Sequence, residues 1–419
     1  MTASFPGSIT QLETGLTVVH HYLPQTTAAI ADVWIKAGSQ VEHPEWLGAA
    51  HFLEHLIFKG TATCPPGEFD RLVESYGAIT NAATSYDYAH YYVLSAAEQL
   101  EATLPALADL LLNAAIPEGE FERERQVVLE EIREAQDDPD DFGFQALLAQ
   151  VYPQHPYGQP ILGTPETLLT RSAADLRAFH QHLYQPQNMT VVMVGQLEQQ
   201  ACLDLVARTF AHFPSPSLPV PPRTESVQSD GVVGLPQRQT LGFPNLMQPR
   251  LLLGWAGPGI KALEQACALD VLTAILTGGR TSRLVKEFRE ERQLVHDIDS
   301  ALSLQQRSSL FTITAWLDSD SLEVVETLIY ERLAELRRGL LTERELQRAQ
   351  RLLINDFIFS TETAAQLSEL YGYYSAIATP ELAFSYPDYI RALTMAEIAS
   401  AVEIYLQPAQ CRVTILNND

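Results

Sequence analysis

The order of strand and helix signals runs through this chain twice, and that repetition constrains the fold more than any other feature of the sequence. In the first half, LTVVHHYLP and AAIADVWIKAGS read as two strands. The helices GAAHFLEHLIFKGT and EFDRLVESYG follow, then strands within AITNAATSYDYAHYYVLSAA, then the helices EQLEATLPALADLLLNA and GEFERERQVVLEEIREA. The second half answers in the same order. QTLGFPNL and PRLLLGWAGPG precede EQACALDVLTAILTGGRTSRL and TSRLVKEFREE, and strands within VHDIDSALSLQQRSSLFTITAWL precede DSLEVVETLIYERLAELRRG and RELQRAQRLLINDFIF. A strand closes each half, NMTVVMVGQL in the first and CRVTILNN in the second. Strands in runs, without strict alternation with helices, point to an α+β fold: two homologous domains, each a mainly antiparallel sheet packed with helices. A repeat of this length is a duplicated domain and not a solenoid. FPSPSLPVPPRTESVQSDG lies between the copies, and its prolines fix φ and remove backbone donors, so it reads as an extended linker. The expected division is an N-terminal domain over 1–212, a linker over 213–236 and a C-terminal domain over 237–419.

Two domains suit a chain of 419 residues. Its net charge of −25 argues against nucleic acid and against an anionic membrane surface, both of which select basic patches. No run approaches the roughly 18 apolar residues of a membrane span, and the start shows no basic region leading into an apolar stretch. The cysteines, Cys64, Cys202, Cys267 and Cys411, are scattered and form no CxxC. Free thiols and the absence of a leader or span lead to the expectation of a cytoplasmic protein.

One apolar helix carries polar residues that its copy lacks. Aligning the two apolar helices on KGT and TGG sets His51, Glu54 and His55 opposite Leu269, Leu272 and Thr273; a one-residue slip brings Asp270 near, but no ligand set reappears. A need of the scaffold would show in both copies, so the trio serves something else. Residues four apart share a helical face, so His51 and His55 can aim two imidazoles at one ion. A catalytic zinc takes three protein ligands and keeps one position open. The third can come from the helix containing QVVLEEIREA, where Glu124, Glu130, Glu131 and Glu134 are candidates. The remaining histidines are weaker. His20 and His21 point to opposite faces of a strand, His180 and His182 do not face each other, and His90, His155 and His212 are isolated. GGRTSRL lacks the lysine, with a hydroxyl residue directly after it, of a phosphate loop.

The HxxEH pattern inverts the more familiar HExxH, and HFLEHLIFKGT resembles the pitrilysin (insulinase-like) family of zinc metallopeptidases. Within that family it is most similar to the short-chain branch of mitochondrial processing peptidase and its bacterial relatives. The family carries its third ligand at a spacing that here falls on Glu131 (131 − 55 = 76), with an assisting glutamate one heptad earlier, at Glu124. GAITNAATSYDYAHYYV resembles the edge strand that receives substrate, centred on Asn81 and Ala82, and HPYGQPILGT resembles a later family segment. A family arginine fits Arg289, but seven positions on (289 + 7 = 296) His296 stands where the family has tyrosine.

The resemblance implies a clamshell chamber of paired halves and one Zn2+ per motif, bound by His51, His55 and Glu131, with Glu54 as general base assisted by Glu124. Asn81, Ala82, Arg289 and His296 would bind the substrate. The implied activity is endopeptidase cleavage of unfolded peptides or presequence-like segments by a homodimer, or by a heterodimer with a related subunit. Two rivals follow from the same family: a non-catalytic structural core subunit, and a zinc-bearing subunit active only beside a partner chain.

Overall fold

The computed structural model describes residues 5–215 and 237–418. Residues 216–236 of the expected linker lie outside that range. The first sheet contains β1 (Ser8–Gln11), β2 (Thr17–Tyr22), β3 (Ala28–Ile35), β4 (Ile79–Thr84), β5 (Ala89–Ala96) and β6 (Met189–Gly195), in the order β1-β2-β6-β3-β5-β4. The second contains β7 (Gln237–Gly242), β8 (Arg250–Pro258), β9 (Asp297–Leu304), β10 (Ser308–Trp316) and β11 (Arg412–Asn417), in the order β7-β11-β8-β10-β9. With β1 set aside the two orders are the same. Each sheet has one parallel pair, β2 with β6 and β7 with β11, and is otherwise antiparallel. The expected α+β architecture of two homologous sheet-and-helix copies is therefore the observed one. β1 was not anticipated: SITQ is too short and too polar to announce a strand, and it gains its place by pairing with β2.

Burial follows strand position. β6 lies inside the first sheet and all of its residues are buried, which is why it reads as the continuous apolar run MTVVMVG. β5 alternates, with Ala89, Tyr91, Val93 and Ser95 buried and His90, Tyr92 and Leu94 half-buried between them.

The compact units do not coincide with the halves of the sequence. Described residues within Met1–Arg133, Pro160–Glu225 and Ser360–Phe384 form one unit; those within Glu134–Gln159, Ser226–Phe359 and Ser385–Asp419 form the other. The helix Pro139–Val151 packs on β8 and β11, whereas Ala364–Ile377 packs on β3 and β6. Each sheet thus takes one covering helix from the other half of the chain. The segments are equivalent in the repeat, so local periodicity does not say which sheet each one covers. The fit is specific in detail: a Cβ on Gly372 would stand 2.0 Å from the Trp34 indole, so only glycine lets that helix lie against β3.

The opposite face of the first sheet is covered by the helix Ala49–Ile57, which contacts β4 and β5. Its Phe52, Leu53, Leu56 and Ile57 are fully buried in a core that also holds Val33, Tyr91, Phe121 and Phe179. Among the described residues no single helix is long and apolar enough to cross a membrane.

Candidate metal centre

The helix Ala49–Ile57 is fixed at its entry by backbone contacts. Gly48 has φ +89°, and a Cβ there would meet the Leu162 carbonyl at 2.6 Å, which accounts for the glycine and for the close approach of the PILGT segment. No side chain caps the helix from the N-cap position. Instead the buried Glu42 carboxylate accepts from the Gly48 N–H at 3.0 Å and the Ala50 N–H at 2.6 Å. A carboxylate there satisfies orphan donors and meets the positive end of the helix dipole.

With its apolar side buried, this helix turns His51, Glu54 and His55 onto a half-buried stripe facing β4 and the helix Glu118–Asp137. The imidazoles lie edge to face with centroids 4.9 Å apart. Glu131 Oε2 stands 3.8 Å from His51 Nε2 and 3.5 Å from His55 Nε2. Three ligand atoms in a tetrahedral zinc site with bonds of about 2.0–2.1 Å are separated by about 3.3 Å, so these three atoms nearly have the spacing a zinc ion requires. Among the described residues they form the group suited to hold a metal, with ligand atoms within 4.8 Å of one another.

The protonation states fit as well. Burial, with His55 nearby, pushes the His51 pKa down to about 4, so the ring is neutral and its contact with Glu131 is not an ion pair. His51 Nδ1 is buried and finds no hydrogen-bond partner among the described residues. The other buried histidines differ: His20 Nε2–H donates to Leu197 O and His180 Nε2–H to Leu111 O, each at 2.7 Å. Those are satisfied core residues; His51 is not.

Glu124 lies one heptad before Glu131. Its Oε2 accepts from His55 Nδ1–H at 3.2 Å and its Oε1 pairs with Lys59 Nζ at 2.9 Å. A carboxylate on Nδ1 fixes the tautomer that leaves Nε2 free as a ligand. Glu130 points outward to Arg133 at 2.6 Å, and Glu134 is exposed. Glu54 is not among the candidate ligands. Burial pushes its carboxyl up from the ordinary range, opposed by the Thr84 hydroxyl, which donates to Oε2 at 2.5 Å.

Asn81 and Ala82 lie in the middle of β4, which ends the sheet and, among the described residues, pairs only with β5. Asn81 is exposed and Ala82 packs on the core. Arg289 and His296 belong to the second unit. Arg289 sits in a π-helix, Val285–Glu291, and is held by Asp297 at 2.8 Å and Glu290 at 3.1 Å. His296 precedes β9, and its Nε2 is 3.1 Å from Asp318. Sequence reasoning missed Glu42, Lys59 and Thr84. Lys59 is one turn past His55 in the same motif, and Thr84 shares a strand face with Ala82, so period counting alone reaches both. Glu42 gives no such local signal.

Comparison with known proteins adds three findings. A model of the insulinase family (peptidase family M16) matches residues 17–165, and one described as the peptidase M16 inactive domain matches residues 171–353. Among curated proteins, an uncharacterized zinc protease of Mycobacterium leprae is 34% identical, covering 84% of this chain and 78% of its own. The zinc protease PqqE of Helicobacter pylori is 29% identical, covering 87% of this chain and 82% of its own. Among solved structures, a Helicobacter pylori protease superposes with a TM-score of 0.91 at 26% identity, over 98% of this chain and 99% of its own. A Pseudomonas fluorescens peptidase M16 inactive domain shares the fold, with a TM-score of 0.84 at 22% identity over 99% of each chain.

Proposed function

The chain belongs to the M16 family of peptidases, and from that premise we propose that it is a zinc-dependent endopeptidase acting on unfolded peptides or presequence-like segments. One observation carries the reading: two imidazole Nε2 atoms and one carboxylate oxygen converge, while a fourth side chain, the acid Glu54, stands beside them outside the ligand set. His51, His55 and Glu131 would hold the zinc ion. The chemistry zinc supplies when bound is polarisation of a carbonyl and a lowered pKa for water. Glu54 takes the proton from the attacking water and delivers it to the leaving amine. Glu124 holds His55 in its ligating tautomer. The peptide adds as a strand to the open edge of β4 at Asn81 and Ala82, so that backbone hydrogen bonds give affinity and side-chain contacts give selectivity.

In the same proposal Arg289 and His296 donate to the substrate carbonyl, within a clamshell chamber assembled as a homodimer or with a related subunit. Four free thiols support a reducing, cytoplasmic setting. A second reading, a zinc-bearing subunit that works only beside a partner carrying arginine and tyrosine, is favoured by His296 in place of tyrosine. The intact ligand trio gives no support to a purely structural subunit.

The test compares wild type and Glu54→Gln on one unstructured peptide, each with and without chelator, and each alone and with its nearest relative from the same organism. Wild type should bind one zinc and lose cleavage to the chelator. Glu54→Gln should keep the zinc and lose about 10²- to 10⁴-fold in turnover. Near-normal cleavage by Glu54→Gln overturns the assignment of the base.

A further inference from the structure

We propose that Thr84 is a positioning residue: its hydroxyl holds the Glu54 carboxylate in place and ties it to the strand along which the peptide adds. The inference rests on the proposed peptidase reading and goes beyond it. Thr84 is the last residue of β4, half-buried and facing the helix Ala49–Ile57. Its Oγ1–H donates to Glu54 Oε2 at 2.5 Å, the length of a strong bond to an ionised acceptor. With Oε2 engaged, Oε1 is left to take a proton.

The surrounding backbone makes this contact rigid. Ser85 N–H donates to Tyr88 O at 2.8 Å and closes the β4–β5 hairpin. Segment 38–42 clamps the hairpin tip: Ser39 N–H donates to Ser85 O at 3.1 Å, Gln40 N–H donates to Tyr86 O at 2.8 Å, and the Gln40 amide donates to Asp87. A Cβ on Gly38 would meet the Tyr86 carbonyl at 2.4 Å, so this close approach requires glycine. That segment ends at Glu42, whose carboxylate caps the helix carrying Glu54. Donor and acceptor are therefore anchored to a single strap.

The second unit ties its matching elements through two hydroxyls, and the Thr277 hydroxyl also donates to the Asp299 carboxylate at 3.4 Å. Thr277, which ends the helix Leu263–Leu276, and Ser300 on the edge strand β9 place their hydroxyl oxygens 2.7 Å apart. A tie between helix and edge strand recurs in both units, and in the first it includes the acid of the active group.

The test uses zinc-loaded wild type, Thr84→Val and Thr84→Ser. Each is measured for bound zinc, for kcat and KM on one unstructured peptide, and for affinity toward a peptide hydroxamate, a ligand that chelates the metal and donates its hydroxyl proton to a neighbouring base. Hydroxamate affinity is also read in the Glu54→Gln background. Valine matches threonine in shape, and Thr84→Ala serves if Thr84→Val does not fold. Thr84→Val should keep zinc and KM, lower kcat about 10- to 100-fold, and weaken the hydroxamate by a similar factor. Thr84→Ser should restore both, and in Glu54→Gln the valine should weaken the hydroxamate no further. Wild-type kcat and hydroxamate affinity in Thr84→Val overturn the proposal. So does a loss confined to KM or zinc, or one of equal size in Glu54→Gln. A wild type that binds hydroxamate through Thr84 and Glu54 but cleaves no peptide sinks the peptidase reading and leaves the positioning role standing. A wild type that cleaves the peptide, but with the same kcat as Thr84→Val, does the reverse.

Discussion

In the first unit the helix Ala49–Ile57 presents His51, Glu54 and His55 to the helix Glu118–Asp137; in the second, the helix Leu263–Leu276 sets Leu269, Leu272 and Thr273 at the aligned positions, both leucines fully buried. The neighbouring long helices differ in the same sense. Glu124 in the first unit reaches Lys59 and His55. In the second, Arg348 of the helix Glu343–Phe359 donates to the Gly278 carbonyl at 2.6 Å and the Ala274 carbonyl at 3.0 Å. Arg348 thus satisfies the C-terminal carbonyls of its neighbour, a purely structural task. Asp270 remains as a buried carboxylate and is satisfied internally by the Tyr386 hydroxyl. The scaffold is complete without a convergent set of imidazoles and carboxylates at these positions. Half-burying two imidazoles and the carboxylates of Glu54, Glu124 and Glu131 costs stability, and only the first unit bears that cost, where the groups gather around one point.

The comparison can be broken most decisively at Glu131. Glu131→Gln removes a proposed ligand, so zinc affinity should fall by more than the roughly 10- to 100-fold that loss of a supporting residue costs. Glu130→Gln, on a side chain paired with Arg133, should keep full zinc. Metal analysis after dialysis reads both, and full retention in Glu131→Gln would show that another group is the third ligand. A smaller loss is expected at Glu124: Glu124→Gln should weaken zinc about 10- to 100-fold, because His55 exchanges a charged acceptor for a weaker neutral one. Competition with a chelator of known affinity measures this, and an unchanged constant would separate Glu124 from the metal group.

The smallest effect is expected in the second unit. Burial holds the Asp270 carboxyl above its ordinary value of 3.8, with Asp356 adding repulsion. The folded chain therefore keeps a proton there that the unfolded chain releases. That contribution to stability is full below pH 3.8 and is lost as pH rises through the folded value. Asp270→Asn should flatten this part of the pH dependence of Tm in chelator-treated protein, and should leave zinc content and turnover at wild-type levels. A loss of turnover would mean that the second unit's buried acid is more than structural.

Several parts of this protein were legible as sequence. Repeated apolar periodicity set the strands and helices of both copies, because amphipathic burial leaves its period in the residues themselves. The pairing of His51 with His55 follows from helix geometry alone, since positions four apart always share a face. Choosing among Glu124, Glu130, Glu131 and Glu134 is different. Periodicity groups Glu124 with Glu131, but only the placement of the second helix decides which of them meets the imidazoles and which holds one from behind. The family spacing pointed to Glu131, whose Oε2 lies 3.8 Å and 3.5 Å from the two imidazole Nε2 atoms.

Tertiary structure alone decided the rest. It gave SITQ a strand partner, sent the helices Pro139–Val151 and Ala364–Ile377 to opposite sheets, and brought Glu42 and Thr84 to the helix that bears the candidate metal group. The physical reason is common to all of these. A strand edge, a sheet face or a buried carboxylate can be satisfied by any partner of matching shape and polarity, and which one arrives depends on the whole chain's packing. Local sequence determined what each segment needs; the folded chain determined what supplies it.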